Sequence, residues 1–414
     1  MASKQQEAIR YISENYLQFN RIRHDVVSDK LQIRLLDEDG KGERQEYWRE
    51  MTKQDINSIV CQCAQECDSN ITSREVMTVL QSDLVPSVHP LREYILSCRT
   101  WTKEQPDWID LVARQVKVKP SGEEAKSEEL WRECFKRWFV AMVASWMKDE
   151  VVNQQVLVLI GRQGIYKTTW LERLIPPHLR AYSCKLANTN DLNKDERMRI
   201  AEFGLIALDE IDSMNHRELN QLKSVVTSSD VNERAAYAYT KERRVRLASF
   251  CASGNRRDFL TDLTGNRRWL PFEVESIQNP YFTVLPYEMM YAQAWALAQD
   301  PTFSYWFDLD EIEVLEQHNQ QFRDESNEEQ LLPILFDIPA EGKGEFFTTA
   351  QISERLVSFG NIKKPMALSR LGMVLGTAGY KATKRKIGNT QTRGWIVYQR
   401  DTDEINTLRR ILKD

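Results

Sequence analysis

Val156-Leu-Val-Leu-Ile160 runs directly into Gly161-Arg-Gln-Gly-Ile-Tyr-Lys167-Thr168-Thr169, and this stretch decides the fold. The apolar run predicts a buried strand, and Trp170-Leu-Glu-Arg-Leu-Ile175 predicts a helix after the turn. A strand that turns through glycines into a helix is typical of phosphate-binding loops, because backbone N–H groups then converge on phosphate oxygens. In such loops the lysine reaches the outer phosphates and the threonine hydroxyl ligates Mg²⁺. The candidate cofactors are therefore ATP and Mg²⁺, and the candidate binding residues are Gly161, Arg162, Gln163, Gly164, Ile165, Tyr166, Lys167, Thr168 and Thr169.

Tyr166 departs from the phosphate-loop pattern Gly-x4-Gly-Lys-Thr, which requires a glycine at this position. If the backbone there has a positive φ, a non-glycine residue costs about 1–2 kcal/mol. Tertiary contacts can enforce such a loop, and the expected loss of nucleotide affinity is roughly tenfold. Because Lys167 and Thr168 are retained, we expect the loop to bind ATP.

A second apolar strand, Gly204-Leu-Ile-Ala-Leu208, ends in Asp209 and Glu210. Beside a Lys-Thr loop, Asp209 is expected to hold hydrated Mg²⁺, and Glu210 is expected to polarise the water that attacks the γ-phosphate. The competing interpretation is a buried strand whose terminal acids cap the next helix.

Two later segments add candidates to the same site. The strand Leu247-Ala-Ser-Phe-Cys-Ala-Ser253-Gly-Asn255 ends in an amide that can bind the γ-phosphate or the attacking water, although an asparagine in a turn is the common alternative. Thr264-Gly-Asn-Arg267-Arg268 precedes a further predicted strand. A guanidinium directed at a γ-phosphate stabilises the charge that develops in the transition state. A solvated charge pair is the alternative for the two arginines. The candidate catalytic residues are Lys167, Glu210, Asn255, Arg267 and Arg268.

The order of these motifs resembles the virulence-associated protein E family of phage and mobile-element ATPases, and more broadly the superfamily 3 helicases of the AAA+ class. The likeness covers about residues 150 to 275, and Thr264-Gly-Asn-Arg267-Arg268 is its most specific part. It implies a P-loop AAA+ core that hydrolyses ATP and a homo-oligomer, a hexameric ring. It also implies a pore hairpin that grips single-stranded DNA, where Lys241, Arg243 and Arg244 would lie. The family usually has glycine where this chain has Tyr166.

The C-terminal part of the chain is basic, although the whole chain of 414 residues carries a net charge of −5. Residues 361–400 contain nine lysines and arginines and no acid. This asymmetry favours contact with a polyanion, and nucleic acid is the first candidate.

Two predicted helices and two predicted strands in this part resemble a winged helix. The predicted helices are 346–356 and 368–375, and the predicted strands are 381–387 and 393–398. Such a module binds duplex DNA through its second helix and its wing. The residues that would make these contacts are Ser369, Arg370, Lys384, Arg385 and Lys386. The alternative is a basic module that docks on the acidic segment 308–329 or on a protein partner.

The predicted fold class is α/β, with a P-loop AAA+ core built on a parallel sheet, a mainly helical N-terminal region and a C-terminal winged-helix-like domain. The predicted domains are an N-terminal collar or partner domain (1–118), a linker (119–130), the ATPase core (131–276), a helical lid (277–340) and the basic domain (345–414). An amphipathic helix with Trp131, Trp138 and Trp146 begins the core, and we expect it to pack on the sheet rather than to stack on bases.

Other classes of site find little support. Seven cysteines fit a reduced, cytoplasmic chain, and Cys61 and Cys63 should face different sides of a predicted helix. The five histidines are dispersed, so no zinc site is expected. No apolar run approaches membrane-spanning length and the N-terminus is polar, so neither a membrane contact nor a signal peptide is expected.

Two classes of function remain. The first is an ATP-dependent DNA helicase or translocase of the superfamily 3 type, acting in replication of a phage or mobile element. The second is a nucleotide-gated DNA-binding initiator or regulatory protein with little or no unwinding activity. Both classes require Lys167 and the basic C-terminal module, but only the first requires a DNA-gripping hairpin and steady ATP turnover.

Overall fold

The computed structural model describes residues 3–38, 44–67, 69–186, 200–233, 242–261, 265–340, 344–387 and 390–411. The chain divides into two compact units, Met1–Asn255 with Arg268–Glu311, and Arg256–Arg267 with Ile312–Asp414. This division differs from the predicted domains, because the predicted lid at 277–340 is shared between the two units.

The N-terminal part of the first unit is a four-stranded sheet flanked by helices. Its elements are α1 (Lys4–Ile12), β1 (Ile22–Asp25), β2 (Lys30–Glu38), β3 (Arg44–Glu50), α2 (Lys53–Glu66), α3 (Ser73–Leu80), β4 (Ser87–Val88) and α4 (Pro90–Ser97). The strand order is β3-β2-β1-β4. β1 pairs antiparallel with β2, from Ile22 opposite Ile33 to Asp25 opposite Lys30. The prediction missed β3, which pairs with β2 along its whole length.

A six-stranded sheet forms the centre of the first unit. Its elements and their neighbours are α5 (Trp108–Ala113), β5 (Val116–Val118), α6 (Glu124–Met147), β6 (Val156–Ile160), α7 (Lys167–Glu172), β7 (Ser183–Leu186), β8 (Leu205–Leu208), α8 (His216–Thr227), β9 (Asp230–Glu233), β10 (Glu242–Val245), β11 (Ser249–Gly254), β12 (Trp269–Ile277) and α9 (Tyr287–Gln299). The strand order is β5-β12-β6-β11-β8-β7. Each pair is parallel except β5 with β12, so the predicted parallel sheet is confirmed. β5 lies on the N-terminal side of the predicted domain boundary at residue 118, and it pairs with β12 in this sheet.

The sheet is buried on both faces, as parallel sheets usually are. Every residue of β6, β8 and β11 is buried. On α6, the side chains of Trp131, Trp138 and Trp146 are buried, and each donates its indole N–H to a backbone carbonyl at 3.0–3.1 Å. A Cβ on Gly204 would lie 2.8 Å from the Trp146 ring, so this contact requires glycine. The prediction that α6 packs on the sheet is confirmed.

The second unit contains a smaller sheet and its helices. The remaining elements of the chain are α10 (Leu309–Gln320), α11 (Asn327–Leu335), β13 (Phe336–Asp337), β14 (Glu345–Phe347), α12 (Thr349–Gly360), α13 (Leu368–Thr377), β15 (Lys381–Ile387), β16 (Thr390–Gln399) and α14 (Thr402–Ile411). The predicted order of two helices followed by two strands is confirmed, and the two strands pair antiparallel. Phe346 and Phe347 were wrongly assigned to the helix. They pair with β16, and the helix begins after its cap Thr348, whose hydroxyl accepts from the Gln351 N–H.

The cysteines of α2 face different sides as predicted, since Cys61 is exposed and Cys63 is buried. Among the residues that the structure describes, no group of three or more His, Cys, Asp and Glu is placed to hold a metal ion. Within the same residues, no helix combines the length and the apolarity that crossing a membrane requires.

Candidate functional site

Three neighbouring strands of the central sheet bring the predicted site together. β11 lies between β6 and β8 and is parallel to both, with Cys251 paired to Leu157 on one side and to Ala207 on the other. Their carboxyl ends therefore lie at one edge of the sheet, which is where open α/β sheets bind ligands. The loop after β6, the acids after β8 and the amide after β11 all meet at this edge.

Lys167 is held inside the loop by neutral acceptors. Its ammonium donates to the carbonyl oxygens of Gly161 at 2.7 Å and Arg162 at 2.8 Å, and to the side-chain oxygen of Asn255 at 3.3 Å. The residue is only 7% exposed, and burial lowers the pKa of Lys167 below its ordinary value against the opposite effect of nearby carboxylates. A desolvated ammonium without a carboxylate among these acceptors is suited to binding an anion.

Tyr166 has the left-handed backbone that the phosphate-loop pattern reserves for glycine. Its φ is +69°, and Gly164, two residues earlier, has a φ of +86°. The predicted strain is therefore present, at about 1–2 kcal/mol for a non-glycine residue. The phenol oxygen accepts from the Asn279 amide at 3.4 Å, and the ring packs edge-to-face with Tyr281. The helix that follows ends three residues earlier than predicted, because α7 runs from Lys167 to Glu172.

Asp209 is the centre of a hydrogen-bonded group. Thr168 Oγ1 donates to Asp209 Oδ1 at 3.2 Å and lies 2.8 Å from Ser253 Oγ, which donates to the same carboxylate oxygen at 2.9 Å. Asp209 Oδ2 pairs with the Lys185 ammonium at 2.6 Å. Burial alone would raise the pKa of Asp209, but its bonds to Lys185, Ser253 and Thr168 together lower this pKa below the ordinary value. The carboxylate is therefore ionised at neutral pH.

The sequence prediction missed two members of this group. Ser253 stands two residues before Asn255, and a hydroxyl at the end of an apolar strand was the available signal. Lys185 carries no motif. Its position depends on the pairing of β7 with β8, which places Lys185 opposite Ala207.

The donors at Asp209 fit a magnesium ion. Mg²⁺ prefers oxygen ligands, and in nucleotide sites one or two protein oxygens hold it together with phosphates and water. Thr168 and Asp209 offer a hydroxyl and an ionised carboxylate within 3.2 Å of each other. The predicted magnesium ligands are therefore side by side.

A cavity of about 380 Å³ opens over these residues, a size within the usual range for small-molecule sites. It is lined by Gln163, Gly164, Tyr166, Lys167, Thr168, Thr169, Asp209, Glu210, Ser253, Gly254, Asn255 and Tyr281. Of the predicted binding residues, Gly161, Arg162 and Ile165 do not line it. Glu210 is exposed at the cavity wall and has a φ of +53°, a second strained backbone at this edge.

Arg268 lies at the opposite end of the strands from this cavity, where β6 and β12 begin. It directly precedes β12, whose first residue, Trp269, pairs with Val156, the first residue of β6. The phosphate loop follows the last residue of β6, so the length of the strand separates the Arg268 backbone from that loop. Arg267 is exposed in the same short turn, Asn266–Arg268.

Arg243 and Arg244, two of the residues predicted for a pore hairpin, belong to β10, which pairs antiparallel with β9 and places Val245 opposite Asp230. Lys241 lies outside the described residues, and so does the side chain of Arg243. The Arg244 guanidinium pairs with Asp29 at 2.6 Å and lies 3.8 Å from Glu202. Contact of Arg244 with DNA would require these pairs to break.

The basic residues of the second unit differ in accessibility. Lys384, Arg385 and Lys386 are exposed along β15, and Ser369 is exposed on α13. Arg370 is half-buried, and its guanidinium donates to the Thr261 carbonyl at 2.9 Å. Three of the four predicted basic contacts are therefore open to a partner.

Comparison with protein families matches residues 104–325 to the virulence-associated protein E-like domain. Comparison with curated protein sequences gives no match. Among solved structures, the apo structure of the NrS-1 C-terminal region is 12% identical with a TM-score of 0.48, and the match covers 95% of this chain and 100% of that chain. The A-form apo structure of the same region is 13% identical with a TM-score of 0.46, and the match covers 94% and 99%.

Proposed function

Because the chain belongs to the virulence-associated protein E-like family, we propose that it is a replication ATPase of a phage or mobile element that translocates on DNA, with a P-loop AAA+ core of the superfamily 3 type. The observation that carries this proposal is the meeting of Lys167, Thr168 and Asp209 around one cavity at the carboxyl edge of a parallel sheet. Motifs that lie far apart in sequence meet at this cavity. The alternative interpretations, acids that cap a helix and an asparagine in a turn, do not require the motifs to lie close together.

Lys167 provides the phosphate contact. On binding, its ammonium exchanges neutral carbonyl partners for phosphate oxygens, and such charge-assisted bonds are about twice as strong as neutral ones. The positive charge is favoured by the incoming anion, so the lowered pKa of Lys167 rises again when phosphate binds.

Thr168 and Asp209 would hold the magnesium ion, which would supply positive charge to the phosphate oxygens. Ser253 and Lys185 position Asp209, one through each carboxylate oxygen. Because Lys185 favours the ionised carboxylate, the site is ready for a cation at neutral pH.

Glu210 and Asn255 face the attacking water. Glu210 follows Asp209 in the cavity wall, and its strained, left-handed backbone turns the chain at the end of β8. Glu210 takes the proton from water, and the Asn255 amide, already in contact with Lys167, orients the γ-phosphate. Strained backbones of this kind are common at active sites.

Arg267 and Arg268 act on the site of a neighbouring copy. Arg268 directly precedes β12 and therefore lies at the end of that strand farthest from the cavity of its own chain. The arginine contact to the γ-phosphate is supplied between subunits for this reason. This requirement supports a ring, in which every cavity receives an arginine from the next subunit.

Substitution of Lys167 tests the proposal. We expect Lys167→Ala to reduce ATP turnover by at least about a hundredfold, since it removes the main cation from the phosphate site. Lys103→Ala is the matched control, because that lysine is exposed and pairs with Asp300. Equal turnover of wild type and Lys167→Ala would contradict the proposal.

The pairs made by Arg244 favour a second candidate, a nucleotide-gated DNA-binding initiator or regulatory protein. A hairpin with an engaged arginine is less suited to gripping a moving strand. Joint substitution of Lys241, Arg243 and Arg244 by alanine separates the two functions. The translocase loses unwinding and DNA-stimulated turnover but retains ATP binding, whereas the initiator has no unwinding to lose.

A further inference from the structure

We propose that Tyr281 stacks on the base of the bound nucleotide, with Tyr166 as the second wall of this base subsite. The inference rests on the proposed function, because it takes the cavity at Lys167 as the phosphate end of a nucleotide site. It assigns a residue that no sequence motif marks and gives a reason for the tyrosine in the glycine position.

Tyr281 faces two adjacent cavities. It lines the cavity of about 380 Å³ that contains Lys167, and it also lines a cavity of about 570 Å³. Thr169 lines both cavities as well, so the two meet at the end of the phosphate loop. A ligand whose phosphates bind at Lys167 therefore has its remaining part beside the Tyr281 ring.

The ring of Tyr281 is accessible. The residue is 72% exposed, so a ligand can reach its ring. The rings of Tyr281 and Tyr166 are 6.3 Å apart between centroids and meet at 80°. Two perpendicular rings form a corner, in which a planar base lies flat on one ring and meets the other with its edge.

Hydrogen bonds hold this corner in place before a ligand binds. Asn279 accepts the backbone N–H of Tyr281 at 3.0 Å and donates to the Tyr166 phenol oxygen at 3.4 Å. Arg173, next to α7, donates to the Thr283 carbonyl at 3.1 Å. The turn after β12 is thus fastened to the phosphate loop and to the helix behind it, which reduces the entropy cost of ordering Tyr281 on binding.

The occupant of the subsite is a nucleobase of any kind. Stacking on an aromatic ring tolerates every base, because each base has a π face. The Asn279 amide and the Tyr166 phenol oxygen are already bonded to each other. We therefore expect adenine and guanine nucleotides to bind with similar affinity.

Calorimetric titration with two ligands tests the inference. Magnesium ATP contains the base and magnesium tripolyphosphate lacks it, so their ratio of Kd values reports the base subsite. For Tyr281→Ala we expect about a tenfold weaker affinity for ATP and an unchanged affinity for tripolyphosphate. Tyr281→Trp should restore ATP binding, because it retains an aromatic face.

Phe282→Ala is the matched control, since Phe282 is 88% exposed, adjacent in sequence and does not line either cavity. An unchanged ATP affinity in Tyr281→Ala, or an equal loss for both ligands, would overturn the inference alone. If the wild type bound neither ligand, the proposed function would fail and the inference would fail with it.

Discussion

At the scale of single residues, Arg246 shows how the first unit handles a charge in its interior. The side chain is fully buried, and its guanidinium donates to the carbonyl oxygens of Asn153 at 2.7 Å, Ala248 at 3.0 and 3.1 Å and Ser228 at 3.2 Å, and to that of Val226. Burial lowers the pKa of Arg246 to about 9. These bonds join the end of α8 to the start of β11, the strand that carries Ser253.

Replacing Arg246 should destabilise the fold. In Arg246→Met the apolar stem is kept, but several buried carbonyls lose their donor, and we expect a loss of about 3 kcal/mol in the free energy of unfolding. Urea denaturation of wild type and variant measures it. The exposed Arg217→Met should change stability by less than about 0.5 kcal/mol. A similar small effect for both variants would show that the guanidinium is dispensable.

At the scale of elements, α4 has a histidine as its N-terminal cap. His89 accepts the backbone N–H of Arg92 through Nδ1 at 3.3 Å, and Pro90 is the first helical residue. The ring must be neutral to accept this bond. Burial, with a smaller effect from Arg92, lowers the pKa of His89 to about 4.

Stability should depend on pH through this cap. The pKa of His89 in the folded protein, about 4, lies below the ordinary value of 6.5. The contribution of the neutral ring to the free energy of unfolding is therefore complete above pH 6.5 and is lost as the pH falls toward 4. His89→Asn keeps a capping acceptor that does not titrate. Thermal melts should show a steeper fall of Tm with acidification for the wild type than for the variant. Parallel curves for the two proteins would contradict the assignment.

At the scale of the whole molecule, two features bear on contacts with other molecules. They are the register of β12 against β6 and the exposed cations of β15. Arg268 and the loop after β6 lie at opposite ends of two neighbouring strands, so the proposed function takes the arginine from a second copy. In the second unit, Lys384, Arg385 and Lys386 are consecutive exposed residues of β15. Lys384 lies opposite another cationic residue, Arg393, on the neighbouring strand β16. A row of exposed cations favours a polyanionic partner.

Mixed subunits should recover activity. Lys167→Ala and Arg268→Ala should each be inactive alone, because one lacks the phosphate cation and the other lacks the arginine given to its neighbour. A mixture should regain a fraction of ATP turnover, since some interfaces then combine an intact loop with an intact arginine.

The control for this experiment is a mixture of Lys167→Ala with the double variant that carries both substitutions. Every loop in that mixture lacks its lysine, so no turnover is expected from it. Turnover that stays absent when Lys167→Ala is mixed with Arg268→Ala would place Arg268 in its own site or outside catalysis.

Duplex binding should depend on salt through β15. Joint substitution of Lys384, Arg385 and Lys386 by alanine should lower the slope of log affinity against log salt by about 0.9 for each phosphate that is no longer neutralised. Fluorescence anisotropy with a short duplex measures the slope. A triple variant of Arg99, Lys103 and Lys126, which are exposed cations of the first unit, is the charge-matched control. Equal slopes for the two variants would argue against phosphate contacts on β15.

Elements with a long or strongly periodic pattern were predictable. The apolar period of α6, the unbroken apolar runs of β6 and β8, and the apolar centre of β11 indicated the core of the first unit. The three strands are wholly buried, and so are the tryptophans of α6. Short strands were not predictable, because two or three residues such as Val116–Val118 carry no period, and only pairing with β12 makes them a strand.

The chain's own residue order determined that a glycine-containing turn with a Lys-Thr pair, an acidic strand end and a polar strand end exist, since local spacing and polarity are enough to mark each of them. Tertiary structure alone decided which side chains touch. Lys185 reaches Asp209, Tyr281 reaches Tyr166 and Arg246 reaches Asn153 because strand order and loop paths bring distant segments together. Local patterns carry no record of these neighbours, since a contact energy depends on distance in space and a sequence records only distance along the chain.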